Sequence, residues 1–330
     1  MFEGFEVRKI KTPDKGFSSA YINLRRGGNG PPLLLIHGNP LTHVSWHKIT
    51  PVLQNHFELI CVDLRGYGDS EGPADGGIDS INYSFRAMSQ DLVDVMEILG
   101  HEKFYVAGHD RGARTAHRMA LDHQKKILKL AVIDILPSHH IWNHTSKSWA
   151  DSSWHWLFMM QPYDMPERLM AGVSPEYYIE KKISKPGKGL TPFSKEALAE
   201  YVRCFNWKTI RGSCEDYRAC ATSDLDMDTK DFLSNNKVQC PTLSIWGKDS
   251  HTGKVYGDLL PIWSNYVSGP LSGGEIDCGH YVIEEKPKPT IECCLIISTN
   301  SKTTVNRYHG TCDKFRCIGC KQQYRTIEIL

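Results

Sequence analysis

Short runs of apolar residues alternate along the chain with stretches in which apolar residues recur at helical spacing. Between the second and third of these runs, Ser84–Leu99 has the i, i+3, i+4 spacing of an amphipathic helix. Strands that alternate with helices predict a mostly parallel sheet flanked by helices on both faces, an α/β fold. The runs that predict strands in this first part of the chain are Pro31–Ile36, Phe57–Val62, Lys103–Ala107 and Ile127–Ile135.

This alternation is interrupted in the middle of the chain. Strand-like runs are missing there, and tryptophan, tyrosine, histidine and methionine accumulate, until Val238–Trp246 resumes the strand pattern. We therefore predict a helical lid at 138–236, inserted into a core formed by 1–137 and 237–297. The remaining stretch, 298–330, is polar, rich in cysteine and without helical periodicity, and we expect this tail to be poorly ordered.

The segment Gly108–Arg114 reads Gly-His-Asp-Arg-Gly-Ala-Arg and joins a predicted strand to a helical pattern. The small residues Gly108 and Gly112 bracket Asp110 and allow a sharp turn, which is the geometry of a nucleophile elbow with aspartate in place of serine. A carboxylate is already an anion at neutral pH and can displace a leaving group from an alkyl carbon. Asp110 is therefore the candidate nucleophile.

The charge balance of the chain narrows the choice of partners. Lys and Arg number 39 against 38 Asp and Glu, a formal net charge of +1, which favours neither nucleic acid nor a membrane surface. No apolar run has the length of a membrane span, and we recognise no signal peptide. We expect a cytoplasmic protein that acts on a small molecule and water, with the first six of its eleven cysteines as free thiols.

Three motifs carry a resemblance to a known family: His-Asp-Arg-Gly-Ala-Arg-Thr-Ala-His-Arg-Met at 109–119, His-Gly-Asn-Pro at 37–40, and Asp-Leu-Arg-Gly-Tyr-Gly-Asp-Ser at 63–70. The chain resembles the haloacetate (fluoroacetate) dehalogenases, α/β-hydrolases close to the haloalkane dehalogenases and epoxide hydrolases. The likeness runs from the N-terminal strands to about Leu295. It implies an α/β-hydrolase fold with an inserted helical lid, hydrolytic removal of halide from a small 2-haloacid, no cofactor, and a homodimer.

A covalent alkyl-enzyme ester must be hydrolysed, so the reaction needs a base. His280 follows the nucleophile and an acid in the chain order of α/β-hydrolases, and a neutral imidazole can take a proton from water. Two carboxylates are candidates for the partner that orients this histidine, because each follows a predicted strand: Asp134 and Asp249. The resemblance favours Asp134 and leaves Asp249 as the alternative.

Arginines beside the nucleophile indicate the kind of substrate. Arg111 and Arg114 share one face of the first helical turn, and two guanidiniums can bind a carboxylate through paired hydrogen bonds. This pair predicts a substrate whose carboxylate lies next to the carbon that bears the leaving group. The backbone N–H groups of Asn39 and Arg111 are the candidate oxyanion hole for the ester hydrolysis step.

The departing halide needs hydrogen-bond donors. The resemblance implies that His155, Trp156 and Tyr217 of the lid supply them. Haloalkane dehalogenases instead place a tryptophan directly after the nucleophile, where this chain has Arg111, and that departure favours an anionic substrate. Asn39 is the residue that the haloalkane dehalogenases use beside the halide. This chain therefore combines a feature of the haloalkane dehalogenases, Asn39, with one of the haloacetate dehalogenases, Arg111.

Two other functions stay open. An epoxide hydrolase shares the aspartate, histidine and acid and needs lid tyrosines, for which Tyr163, Tyr178 and Tyr217 are available. The arginine pair has no evident use on a neutral epoxide, so this function ranks second. The other alternative is a non-catalytic ligand-binding protein on the hydrolase scaffold.

The tail contains Cys312, Cys317 and Cys320, with His309 nearby. Thiolate and imidazole groups suit zinc, but this spacing is not that of paired C-x2-C knuckles. We therefore predict no metal site.

Overall fold

The computed structural model describes residues 1–184, 187, 189–298 and 316–318. In this part of the chain nine strands form one sheet in the order β1-β2-β4-β3-β5-β6-β7-β8-β9. Strands β3 to β8 run parallel, whereas β1, β2 and β9 pair antiparallel at the two edges. The strands are β1 Glu6–Lys11, β2 Tyr21–Gly27, β3 Pro32–Ile36, β4 Glu58–Val62, β5 Phe104–His109, β6 Ile127–Ile133, β7 Thr242–Gly247, β8 Leu271–Ile276 and β9 Arg316–Ile318.

Helices flank the sheet and fill the interval between β6 and β7. Two 3-10 helices, His43–Trp46 and Ile78–Tyr83, lie in loops after β3 and β4. The α-helices that the structure describes are α1 Thr50–Leu53, α2 Phe85–Ile98, α3 Arg111–Asp122, α4 Ser138–Asn143, α5 Lys147–Ser152, α6 Trp154–Met159, α7 Met165–Ala171, α8 Pro175–Ile183, α9 Lys195–Cys204, α10 Trp207–Ala221, α11 Ser223–Leu233, α12 His251–Tyr256, α13 Leu260–Trp263, α14 Val282–Glu285 and α15 Pro287–Ser298.

The apolar character of the central strands follows from burial on both faces of the sheet. In β3, Leu33 and Leu35 belong to one core cluster, while Leu34 and Ile36 belong to the cluster on the opposite face. Successive side chains of a strand point to opposite faces, so a strand covered by helices on both sides is apolar at every position. The continuous apolar runs in the sequence therefore became parallel strands.

The predicted α/β fold is confirmed. Of the nine strands in the described ranges, β3 to β7 were predicted with ends that differ by at most four residues, whereas no range was predicted for β1, β2, β8 or β9. The strand predicted to reach Ile135 ends at Ile133, so Asp134 lies directly beyond it. The interval 138–236, predicted as a lid, contains the eight helices α4 to α11 among its described residues.

The C-terminal part extends the fold at one edge. Helix α15 ends at Ser298, and β9 pairs with β8 through Ile318 and Leu271. The rest of the tail, including the zinc candidates His309, Cys312 and Cys320, lies outside the described residues, so its predicted disorder stays a prediction. No helix in the described ranges is both long enough and apolar enough to cross a membrane.

A buried carboxyl on α11 makes the stability of the lid sensitive to pH. Asp224 is fully buried, and its Oδ1 accepts the backbone N–H of Phe85 at 2.9 Å. Its other oxygen has no hydrogen-bond partner among the described residues. Burial and the nearby Asp228 raise the pKa of Asp224 well above its usual value. The folded protein therefore holds a proton that the unfolded chain releases above about pH 4, so the wild-type stability falls as the pH rises from there.

We expect Asp224→Asn to raise the free energy of unfolding by on the order of 2 kcal/mol at pH 8, and by much less near pH 4.5. Urea unfolding of both proteins at the two pH values measures the difference. Asp226→Asn on the same helix is the matched control, because its carboxylate is exposed. An equal gain at both pH values, or the same gain in the control, would contradict the expectation.

Candidate active site

Asp110 lies at a strained turn between β5 and α3. Its φ is +50°, a value that aspartate adopts rarely, and it forms the N-cap of α3. A Cβ on Gly108 would lie 2.3 Å from the Gly112 carbonyl oxygen, and one on Gly112 would lie 2.3 Å from that of Ile36. Only glycine fits at these two positions, so the pair of glycines allows the close approach that presents Asp110 at the carboxyl end of β5.

The Asp110 carboxylate is held by the loop that follows β3. The backbone N–H of Asn39 donates to Asp110 Oδ1 at 2.9 Å. Burial raises the pKa of the Asp110 carboxyl. The His280 imidazole and the Arg111 guanidinium lower it by more than burial raises it, so the pKa lies below the usual range. The carboxylate is therefore ionised at neutral pH.

His280 follows β8 and lies between two carboxylates. Its Nδ1 lies 2.5 Å from Asp134 Oδ2, and its Nε2 lies 3.7 Å from Asp110 Oδ2. The other oxygen of Asp134 accepts the Gly247 N–H at 2.8 Å. Burial raises the pKa of the Asp134 carboxyl, and the neighbouring His251 opposes that rise. Asp134 thus holds Nδ1 of the imidazole while Nε2 faces the nucleophile.

The structure distinguishes the two acid candidates by position. Asp134 is buried directly beyond β6 and contacts His280. Asp249 is exposed in the turn after β7, where its backbone N–H donates to the carbonyl of Cys278 at 2.9 Å. An exposed carboxylate in this turn does not occupy the place beside Nδ1, which Asp134 already fills.

A second histidine, His109, contacts the backbone of His280. His109, the last residue of β5, has Nε2 at 2.8 Å from the carbonyl oxygen of His280. Burial lowers the pKa of His109 to about 4, so its ring is neutral near pH 7 and Nε2–H can donate to that carbonyl. Sequence reasoning gave His109 no role, although it directly precedes the nucleophile.

Arg111 is already paired with a carboxylate of the lid. Its Nε donates to Asp216 Oδ2 at 2.8 Å, its Nη2 contacts the same carboxylate, and the Tyr67 hydroxyl also donates to Asp216 at 2.6 Å. The guanidinium carbon lies 4.2 Å from the centre of the Tyr217 ring. Its remaining nitrogen, Nη1, is buried without a partner among the described residues. Asp216 therefore balances the charge of Arg111 and leaves Nη1 available as a donor.

Arg114 is buried without such a balancing charge. Its Nη1 donates to the Leu136 carbonyl at 2.8 Å and to the Ser138 hydroxyl at 3.2 Å, both neutral groups. In the part of the chain that the structure describes, no carboxylate forms an ion pair with Arg114, and its Nε is buried without a partner. Burial lowers the pKa of this guanidinium. A buried cation with an unused donor is costly unless an anion binds beside it.

A cavity of about 150 Å³ opens beside the nucleophile. Its wall combines the proposed nucleophile and base with aromatic and basic side chains of the lid, a mixture that suits a small polar ligand. The residues that line it are Asn39, Asp110, Ser152, Trp154, His155, Trp156, Lys181, Lys182, Tyr217, His251, His280 and Tyr281.

The three halide candidates come together on one side of this cavity. The Tyr217 ring centre lies 5.7 Å from that of His155 and 5.8 Å from that of Trp156. Burial lowers the pKa of His155 well below its usual value, so the imidazole is neutral and retains one N–H donor. The group therefore offers donors within an aromatic wall.

Besides His109, sequence reasoning missed four further residues around the site. Lys181 and Lys182 on α8, and His251 at the start of α12, line the cavity, and Asp216 pairs with Arg111. Charged residues on a helix resemble any solvated face, and 105 positions separate Asp216 from Arg111 along the chain. No local pattern could have identified them.

Residues 31–287 match the protein family described as alpha/beta hydrolase fold. The match covers most of the chain and includes the turn at Asp110 and the loop of His280. The chain therefore belongs to the α/β-hydrolase family, and its class of activity is that of a hydrolase.

Individual relatives are similar over nearly the whole chain. The chain is 38% identical to fluoroacetate dehalogenase of Burkholderia sp over 88% of its own length and 92% of that protein. It is 28% identical to the soluble epoxide hydrolase of Corynebacterium sp. (strain C12), over 88% of this chain and 96% of that one. Among solved structures, ALR0039 of Nostoc sp PCC 7120, described as an alpha/beta hydrolase, is 46% identical with a TM-score of 0.85. The alignment spans 91% of this chain and 100% of the Nostoc chain.

Proposed function

We propose that the protein hydrolyses a small 2-haloacid, converting a haloacetate to the hydroxyacid and halide. In the first step an Asp110 oxygen attacks the carbon that bears the halogen. A carbon–oxygen bond forms, the carbon–halogen bond breaks, and its electron pair leaves with the halide. The product of this step is an ester between Asp110 and the acid.

The second step hydrolyses that ester. Nε2 of His280 takes a proton from water, whose oxygen attacks the carboxyl carbon of Asp110, while Asp134 stabilises the resulting imidazolium. In this proposal the N–H of Asn39, which donates to Asp110 Oδ1, stabilises the oxyanion, with the N–H of Arg111 as the second donor. The imidazolium then returns the proton to the leaving hydroxyacid oxygen.

The observation that carries this proposal is the buried, unbalanced guanidinium of Arg114 beside an aspartate nucleophile. Neither Arg111 nor Arg114 lines the cavity itself, but their guanidinium carbons lie 5.5 and 4.6 Å from the ring centre of Trp156 in its wall. The unused Nε of Arg114 and the unused Nη1 of Arg111 are the two donors that we assign to the substrate carboxylate. Lys181 and Lys182 add positive charge to the cavity wall and favour an anionic ligand.

In this proposal the lid supplies hydrogen-bond donors to the departing halide. His155, Trp156 and Tyr217 line the cavity and can donate hydrogen bonds to a halide there. The similarity to a fluoroacetate dehalogenase supports a haloacetate as the substrate class.

Epoxide hydrolysis is the second candidate, supported by the Corynebacterium relative and by the shared aspartate and histidine. Of the three tyrosines considered from the sequence, Tyr217 lines the cavity, whereas Tyr163 is 53% exposed and Tyr178 lines a separate, smaller cavity. A neutral epoxide would also leave the unused N–H of Arg114 without an anionic acceptor. The ligand-binding alternative has no observation that favours it over catalysis.

The proposal is tested by measuring halide release from fluoroacetate, chloroacetate and bromoacetate by the full-length protein, with diol formation from styrene oxide in parallel. Halide release with an equal amount of glycolate supports the proposal. Diol without halide would assign the protein to the epoxide hydrolases. A folded protein that gives neither product would overturn both catalytic functions.

We expect Arg114→Lys to lower kcat/KM for chloroacetate by about 10- to 100-fold, mainly through KM, because lysine cannot reproduce the second donor of the guanidinium. Steady-state kinetics of halide release measure the change. Arg86→Lys, at a half-buried guanidinium that pairs with Asp122, is the matched control and should match the wild type. An unchanged KM in Arg114→Lys would remove this arginine from substrate binding.

A further inference from the structure

His251 has no role in the proposed hydrolysis, although it lies against the histidine and acid. It begins α12, and its ring centre lies 4.9 Å from that of His280. One ligand atom each from Asp134, His251 and His280 can be chosen so that all three lie within 4.8 Å of one another. Both imidazoles also line the cavity, so the cluster can be reached from it.

Two imidazoles and one carboxylate form a ligand set that binds Zn²⁺ and other divalent ions of the first transition series. The buried Asp134 supplies the negative charge, and the half-buried histidines leave room on the cavity side for water as a fourth ligand. Tetrahedral zinc with bonds of about 2.1 Å places its ligand atoms roughly 3.4 Å apart. The three side chains therefore need shifts on the order of an ångström to close around an ion.

We propose that Asp134, His251 and His280 bind a divalent transition-metal ion, with Zn²⁺ as the representative, and that this ion inhibits the enzyme. The ion is not a cofactor, because it uses two residues of the proposed triad as ligands. The binding claim is independent of the proposed function, whereas the inhibition claim rests on it.

The inhibition follows from the tautomer of His280. Nδ1 lies 2.5 Å from Asp134 Oδ2 and donates its proton there when the imidazole acts as a base through Nε2. An ion between Asp134 and Nδ1 replaces that proton, which then resides on Nε2 of the neutral ring. Nε2–H cannot accept a proton from water, so hydrolysis of the ester stops.

Other groups of the chain can also bind metals, and the test must separate them. His140 and His144 stack at 4.1 Å on the surface and form a possible two-histidine chelate. The chain also contains eleven cysteines. A comparison of His251→Asn with His144→Asn keeps the cysteines constant and removes one histidine from each group.

The experiment titrates the full-length protein with Zn²⁺ by calorimetry, in parallel with halide release from chloroacetate. We expect His251→Asn to lower the affinity of the cavity site for Zn²⁺ by at least about tenfold, because losing even a residue that only hydrogen-bonds to a metal ligand has an effect of that size. His144→Asn should retain the wild-type affinity. Zn²⁺ should inhibit His144→Asn as it inhibits the wild type, with each rate normalised to its own metal-free value. Equal binding by His251→Asn and the wild type would overturn the proposal.

A second measurement keeps the proposal testable if His251→Asn does not fold. The absorption spectrum of the wild-type protein with Co²⁺ should show a site with nitrogen and oxygen ligands, and a spectrum with thiolate bands alone would overturn it. A protein that binds Zn²⁺ through His251 but releases no halide would refute the proposed function and leave the metal site intact. Halide release that Zn²⁺ leaves unaffected, with binding intact, would overturn the inhibition.

Discussion

Replacement of Asp110 by asparagine is expected to lower the rate of halide release from chloroacetate by at least about 10⁴-fold, the scale seen when a nucleophile of a catalytic triad is lost. The neutral amide lacks the negative charge that displaces the halide, while its shape still fits the turn between β5 and α3. Halide release over time, with the far-UV circular dichroism of both proteins, measures the loss on a folded protein.

Asp110→Ala is the matched control for this prediction. An asparagine at a strained turn beside a general base can hydrolyse back to aspartate and restore activity slowly, whereas alanine cannot. Activity that grows with incubation in the asparagine variant and stays absent in the alanine variant would support the nucleophile assignment. Rapid turnover by freshly prepared Asp110→Ala would refute it, because no carboxylate would be present to form the ester.

His280→Asn is expected to stop the reaction after its first half. The variant keeps Asp110 and the arginines, so alkylation releases one halide per protein molecule, but the imidazole that Asp134 orients as the base is lost. Steady-state turnover should fall by at least about 10⁴-fold. Mass spectrometry of the variant after incubation with chloroacetate should find one carboxymethyl group, attached to Asp110 in the peptide that contains it.

Two variants at the acid positions complete this test. Asp134→Asn removes the carboxylate 2.5 Å from Nδ1 of His280 and is expected to slow turnover strongly. Asp249→Asn changes an exposed side chain and should leave turnover at the wild-type rate. Continued turnover in His280→Asn without a trapped adduct would exclude this histidine as the base. A loss in Asp249→Asn alone would transfer the acid role to Asp249.

The pattern of apolar residues predicted the fold because it records local requirements. Strand β3 needs apolar side chains on both faces, and Leu33–Ile36 is apolar at every position. The glycines at 108 and 112 were predicted to allow a sharp turn, and the close contacts at these positions show why no other residue fits. Strand ends were less predictable, since a side chain such as Ile135 stays buried after the backbone pairing has ended.

The partners of charged side chains could not be predicted from the sequence in the same way. The sequence suggested that a substrate anion would compensate both arginines near the start of α3. The structure pairs Arg111 with Asp216 of α10 and leaves Arg114 on neutral oxygens. Two similar arginines, three positions apart, therefore differ in their charge balance, and that difference depends on how the lid packs against α3.

The sequence by itself determined the alternation of strands and helices from β3 to β6, the helical interval before β7, the turn that carries Asp110, and the presence of a histidine and two acids in the chain order of α/β-hydrolases. Those features are local, because periodicity and turn chemistry depend on residues a few positions apart. Only the tertiary structure decided which acid meets His280, since Asp134 lies 146 positions before it. It also decided that His251 joins that pair and that Asp216 neutralises Arg111. Such contacts form where the carboxyl ends of parallel strands and the helices of the lid meet, and spacing along the chain does not encode them.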